Sequence, residues 1–170
     1  MSRAFVSEDN FTEELPDRPI SDFPNLVTER GLELIEAALE GTRREYGEAQ
    51  AAGDRDGLAK AGRELRYWSA PRASANVVRA AAETDAVQFG NTVTIVRDDG
   101  REQTFRIVGE DEADPKNGSI SHVSPLARSL FNKRVGDTIK VGNADGGDHV
   151  IRGCPTFTGR LVKGWRWSDL

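Results

Sequence analysis

The chain has one cysteine, Cys154, so no disulfide can close within it. A lone thiol fits a reducing compartment, and a cytoplasmic protein is expected. Histidine is nearly as scarce: His122 and His149 are the two present. Scattered as they are, these three residues cannot supply the four grouped ligands of a zinc site. Long apolar runs are missing too. No stretch approaches the ~20 residues that span a bilayer. Met1 to Asn10 carries charges and no apolar block, so neither a membrane partner nor a signal peptide is expected. Positive charge is in deficit, with 23 Lys and Arg against 28 Asp and Glu, for a formal net charge of −5. Affinity for nucleic acid comes mainly from phosphate neutralisation, which argues against a general DNA or RNA binder. Gly142 to Gly147 is Gly-rich but has no strand-to-helix context and no Gly-Lys-Ser/Thr, so it is not a nucleotide loop. Aromatic residues make up 7% and apolar residues 37% of the 170, so each core must be small. The length suits two small domains or one medium one.

What is present divides the chain in three. Residues 1–24 are polar and acidic with Pro16, Pro19 and Pro24, and a flexible arm is expected there. Residues 25–84 read as helical. Asn25 or Thr28 is the N-cap candidate. Leu32, Ile35, Leu39, Thr42, Tyr46 and Ala49 alternate spacings of three and four, a heptad seam. Gly53-Asp54 reads as a helix end followed at once by a new N-cap. Leu58, Ala61, Leu65 and Trp68 continue the spacing in a second helix expected to run through Ala75 toward Ala82. Two seams joined by a tight turn predict an antiparallel coiled-coil hairpin. Its first arm is acidic on balance and its second basic, through Arg55, Lys60, Arg63, Arg66, Arg72 and Arg79. Such faces attract one another across a seam. Pro71 inside the second arm predicts a kink or break.

Residues 86–170 change to a period of two. Thr92 to Arg97 and Gln103 to Val108 alternate around Asp98-Asp99-Gly100, a hairpin-turn signal. Thr138 to Val141 and His149 to Ile151 read as further strands. Between them Ser124-Pro125 places an N-cap serine and a first-turn proline, the start of a short helix. The fold class is α+β: a helical hairpin followed by a small antiparallel sheet with one helix. Trp165 and Trp167 in the tail 155–170 have no assigned place.

One block carries a more specific signal. Ile107-Val108-Gly109, Asp111-Glu112-Ala113-Asp114, Ile120-Ser121, Ser124-Pro125-Leu126-Ala127-Arg128 and Gly136-Asp137, in this order and spacing, resemble the C-terminal domain of the bacterial GreA/GreB transcript-cleavage factors. The resemblance implies an FKBP-like sheet domain and a partner, RNA polymerase. It implies a hairpin that enters the polymerase secondary channel, and a rim contact made by Asp111, Glu112, Asp114, Ser121, Ser124 and Pro125. In that family the tip acids help the polymerase hold a second magnesium ion, so the chain itself is not an enzyme and carries no stable metal or other cofactor. DNA and RNA are met only through the polymerase complex, and a monomer is expected.

The tip departs from the family pattern of Gly-Asp, two variable residues, Glu-Asn-Ala, one more, then Tyr. Gly53, Asp54 and Ala59 match; Gly57, Leu58 and Ala61 replace Glu, Asn and Tyr. Asp54 and Asp56 are therefore the candidate catalytic acids. Asp54 has an equally complete reading as a plain helix cap. Both arms also look shorter than in cleavage-competent members, by roughly two turns at 1.5 Å per residue, and a shortened hairpin resembles that of the Gre-like protein Rnk. Two functions stay open for a polymerase regulator: assistance of transcript cleavage, or occupation of the channel without it. A prolyl isomerase, the third reading, needs an aromatic-walled pocket, and Phe89, Phe105 and Phe131 are all accounted for as core.

Overall fold

A computed structural model describes residues 15–81, 84–140 and 148–153. The Gly-rich turn before His149, Trp165, Trp167 and most of the N-terminal arm lie outside them. The described residues form two compact units. One comprises residues 15–22 and 33–74, the other residues 23–32 and the chain from Ala75 onward. The second thus takes in residues 23–32, which the sequence assigned to the arm and the hairpin, and it begins again at Ala75 rather than at residue 86. None of the helices among the described residues is long and apolar enough to cross a membrane.

The hairpin is built from α1 (Glu29–Ala52), whose residues from Glu33 on belong to the first unit, and α2 (Arg55–Ser74). Thr28, not Asn25, caps α1: its Oγ1 accepts from the Gly31 amide at 2.9 Å, and its carbonyl receives the Leu32 amide. Of the seam, Ile35, Leu39 and Thr42 are buried on α1 and Ala61 on α2. Thr42 satisfies its hydroxyl on the Ala38 carbonyl at 2.8 Å. Toward the tip the seam thins, and Tyr46 is exposed. Arg72 meets Glu36 at 2.8 Å across the two helices. Pro71 is buried, and of the kink or break expected there the break is absent: α2 continues past it to Ser74. The helix then stops, well short of Ala82. Residues 17 and 18 lie along α2: Asp17 receives Arg66 at 2.7 Å, and Arg18 bonds Glu64 at 2.6 Å with its guanidinium 3.5 Å from the Tyr67 ring centroid.

In the sheet unit, β1 (Leu26–Val27) pairs in parallel with β2 (Asn76–Val77), a ribbon too short for any periodicity to reveal. The main sheet holds β3 (Thr92–Arg97), β4 (Glu102–Val108), β5 (Ser119–Ser121), β6 (Thr138–Lys140) and β7 (Asp148–Gly153), in the order β5-β4-β3-β7-β6. It is antiparallel except for β4–β5, which pair in parallel, so the expected antiparallel sheet is mixed. β3 and β4 close around the anticipated turn, where Arg97 and Gly100 share a 2.8 Å backbone bond. The Arg101 guanidinium on Asp99 in that turn holds its carboxyl at about 2, below the ordinary 3.8. α3 (Pro125–Leu130) belongs to the same core. Val93 and Ile95 of β3, Ile107 of β4, Ile120 of β5, Ile139 of β6 and Ile151 of β7 bury one face against Ala127 and Leu130. Phe89 is in this core and Phe105 and Phe131 pack on it, as the sequence reading had them.

Candidate functional site

At the hairpin tip, Gly53 has φ +68°, a backbone angle that glycine adopts without a Cβ penalty. Its amide bonds the Gln50 carbonyl at 3.3 Å and the Asp54 amide bonds the Ala49 carbonyl at 3.0 Å. These two bonds close α1 as a Schellman motif. Asp54 immediately opens α2. Its carbonyl accepts from Leu58 at 3.0 Å, and its Oδ1 accepts from the Gly57 amide at 3.0 Å. The carboxylate therefore satisfies an orphan amide of the first turn, where negative charge is also favoured by the helix dipole. A Cβ on Gly57 would lie 2.5 Å from Asp54 Oδ2, so the missing side chain is what leaves the carboxylate in that place. Asp56 is exposed on the first turn of α2. Beside the turn is an open hollow lined by Ala49, Ala52, Gly57 and Ala61, with Glu45, Glu48 and Lys60 around it. The described residues contain no group of three or more carboxylate, histidine or cysteine side chains able to hold a metal ion.

The other six candidates lie in the sheet unit, and the structure gives most of them a local task. Ser124 Oγ accepts from the Ala127 amide at 3.2 Å and Pro125 is the first residue of α3, the helix start read from the sequence. Ser121 Oγ accepts from Val123 at 3.3 Å. Asp114 is exposed, receives the Asn117 side-chain amide at 2.6 Å and precedes the 3-10 turn Pro115–Asn117. Asp111 is half-buried. Glu112 is the surprise. Its Oε2 accepts a hydrogen bond from Thr28 Oγ1, at the cap of α1. The loop is thus less exposed than its composition suggests. Asp114 in the loop and Pro125 and Arg128 in α3 are exposed.

Two residues that sequence reasoning passed over hold this region in place. Gly109 admits β1: an added Cβ would lie 2.7 Å from the Leu26 carbonyl oxygen. His122 is buried, sits edge-on to Phe89 at 5.7 Å between ring centroids, and places Nε2 3.2 Å from the Pro24 carbonyl. Its partner lies 98 residues away in the chain, so no local pattern could have announced it.

Comparison with known proteins follows the same block. The family described as "Transcription elongation factor, GreA/GreB, C-term" matches residues 82–152. The chain is 56% identical over 64 residues to transcription elongation factor GreA of Maricaulis maris, covering 37% of this chain and 40% of that protein. It is 49% identical over 67 residues to GreB of Neisseria meningitidis, covering 39% of this chain and 41% of that protein. These alignments span well under half of each relative. A longer one reaches GreA of Chelativorans sp., 38% identical over 142 residues, or 82% of this chain and 85% of the relative. Among solved structures, the GreA factor homolog Gfh1 of Thermus thermophilus superposes with a TM-score of 0.37 at 18% identity, over 78% of this chain and 99% of that one. GreA/GreB from Nitrosomonas europaea gives 0.37 at 21% identity, over 76% and 98%. With 38% identity sustained over 85% of the Chelativorans protein, the chain belongs to the GreA/GreB family of transcription elongation factors.

Proposed function

We propose that this protein docks on RNA polymerase through its sheet unit, places its hairpin in the secondary channel, and regulates elongation by occupying that channel rather than by promoting transcript cleavage. One observation carries the reading. The family match falls on residues 82–152, the docking block, whereas at the tip Gly57, Leu58 and Ala61 stand where the pattern asks for an acid, an amide and a tyrosine. Asp54 is the acid left in register, and its carboxylate caps α2. The protein does no chemistry of its own in this reading. It is a cytoplasmic monomer that meets nucleic acid only within the polymerase complex.

Magnesium enters only there. The ion is usually held by one or two carboxylates together with water and phosphate oxygens. Asp54 and Asp56 are exposed carboxylates at the joint and in the first turn of α2, so they fit as partial donors and no more. When bound, the metal supplies charge stabilisation for phosphodiester cleavage. What this chain supplies is steric: a helical pair that fills a passage, and a sheet unit that holds it at the rim. Pro125 and Asp114 are the exposed groups available for that rim. Charges at such a rim act mainly on encounter rate and salt dependence.

The test is a cleavage assay on backtracked, stalled polymerase. The unmodified protein is expected to leave cleavage at its intrinsic rate, and to displace a genuine cleavage factor from the complex. The D54N/D56N variant should displace it equally well. Efficient cleavage with the unmodified protein and none with the variant would instead establish a cleavage factor that uses both aspartates.

A further inference from the structure

We infer that Glu112 is a positioning residue: it anchors the first turn of α1 to the loop after β4, and through that anchor the docking of the sheet unit governs what the hairpin does. The inference rests on the reading that the hairpin acts in the polymerase channel, but the anchor itself stands on geometry alone.

Thr28 is 5% exposed, and its hydroxyl both donates and accepts. It donates to Glu112 Oε2 and accepts from the Gly31 amide at 2.9 Å. A carboxylate thus backs the capping hydroxyl at the start of α1, where the helix dipole favours an anion. The sequence offers a local alternative in Glu29, but that side chain turns to Arg79 at 2.8 Å. The acid at the cap comes from 84 residues away. Gly31 leaves it room, because a Cβ there would stand 2.9 Å from Glu112 Oε2. Three features, a capping threonine, a glycine in the first helical turn and a distant glutamate, therefore serve one contact. A glutamate that reached outward to a partner would need none of them.

The experiment uses the full chain and the variants E112A, E112Q, T28V and T28V/E112A. Hydrogen exchange reads the amides of Arg30, Gly31 and Leu32. Two measurements with polymerase follow: the dissociation constant, and the effect on elongation at saturation. E112A and T28V should each speed exchange of those amides about five-fold, as expected for local opening of a helix end. The double variant should be no faster than the worse single one, since both remove the same contact. E112Q keeps an acceptor oxygen for Thr28 and should exchange almost as slowly as the unmodified protein. The dissociation constant should stay within about two-fold for every variant, while the saturating effect of E112A and T28V drops by at least about half. A tenfold loss of affinity in E112A with unchanged exchange would make Glu112 a polymerase contact and overturn the inference. Faster exchange with a full saturating effect would overturn the coupling. If the unmodified protein fails to bind polymerase, the proposed function falls, and the exchange data still decide the anchor.

Discussion

At the scale of single residues, Gly109 shows how a small absence positions a chain. It follows β4, and the backbone of β1 passes where its side chain would be. Steric access, not backbone freedom, makes it glycine. The G109A variant should therefore destabilise the fold by about 2 kcal/mol, in the range for overpacking at a buried site. Chemical denaturation is the measurement, and a loss below about 0.5 kcal/mol would show that β1 can move aside at little cost. The same reasoning separates residues that composition groups together. Asp111, Glu112 and Asp114 look equivalent in the sequence. In the fold, Asp114 faces solvent beside Asn117, while Glu112 reaches a buried hydroxyl. Acidic character says where a loop is unlikely to be buried deeply; it says nothing of which acid has a partner.

At the scale of elements, the segment before β1 matters to α2. Arg18 pairs with Glu64 and lies over Tyr67, close to Trp68, whose ring meets that of Tyr67 edge-on at 5.0 Å. A partly exposed ion pair contributes little, on the order of 0–1 kcal/mol, and a cation over an aromatic face about 0.5–1 kcal/mol. R18A should accordingly cost about 1 kcal/mol and change the fluorescence of Trp68; unaltered emission and stability would show that the segment leaves α2 unaffected. Elements differ sharply in how legible they were. The two helix starts at Thr28 and Ser124, the Gly53-Asp54 turn and the β3–β4 hairpin were all visible, because each depends on chemistry within four residues of itself. The end of α2 was not. Ala75, Ala80 and Ala81 favour helix, yet Asn76 and Val77 leave it to pair with Leu26 and Val27, and tertiary pairing outweighs propensity. β5 was missed for a like reason: three residues flanked by turns make a strand only because β4 is beside them. Of the candidate site, the helix-start roles were readable from spacing, whereas the Thr28–Glu112 contact joins positions that no window spans.

At the scale of the whole molecule, tip chemistry and hairpin length both bear on what the protein can do, and they can be separated. α1 runs 24 residues and α2 runs 20, or about 36 Å and 30 Å of helix at 1.5 Å per residue. Restoring the family pattern with G57E/L58N returns the acid and the amide but adds no reach. On the proposed reading that both arms are about two turns shorter than in cleavage factors, this variant should still leave transcript cleavage at the intrinsic polymerase rate, because an acid ~10 Å short of a metal cannot coordinate it. A gain of more than about ten-fold, equivalent to 1.4 kcal/mol of barrier, would show that side chains and not length are limiting.

The two-residue joint at Gly53-Asp54 also constrains how such a hairpin can change over evolutionary time. Asp54 ends one helix and begins the next, so it belongs to two motifs at once. A residue inserted there would separate the motifs and undo one of them. A residue inserted in a single arm would rotate everything beyond it by about 100° and turn the apolar stripe outward. What remains open to drift is paired insertion or deletion, the same number of turns in each arm, placed away from the joint. Whole heptads preserve the stripe best, and each adds or removes about 10 Å of helix. The reach of the hairpin is then inherited in steps. Lineages with different reach are expected to fall into discrete classes, with few intermediates between them.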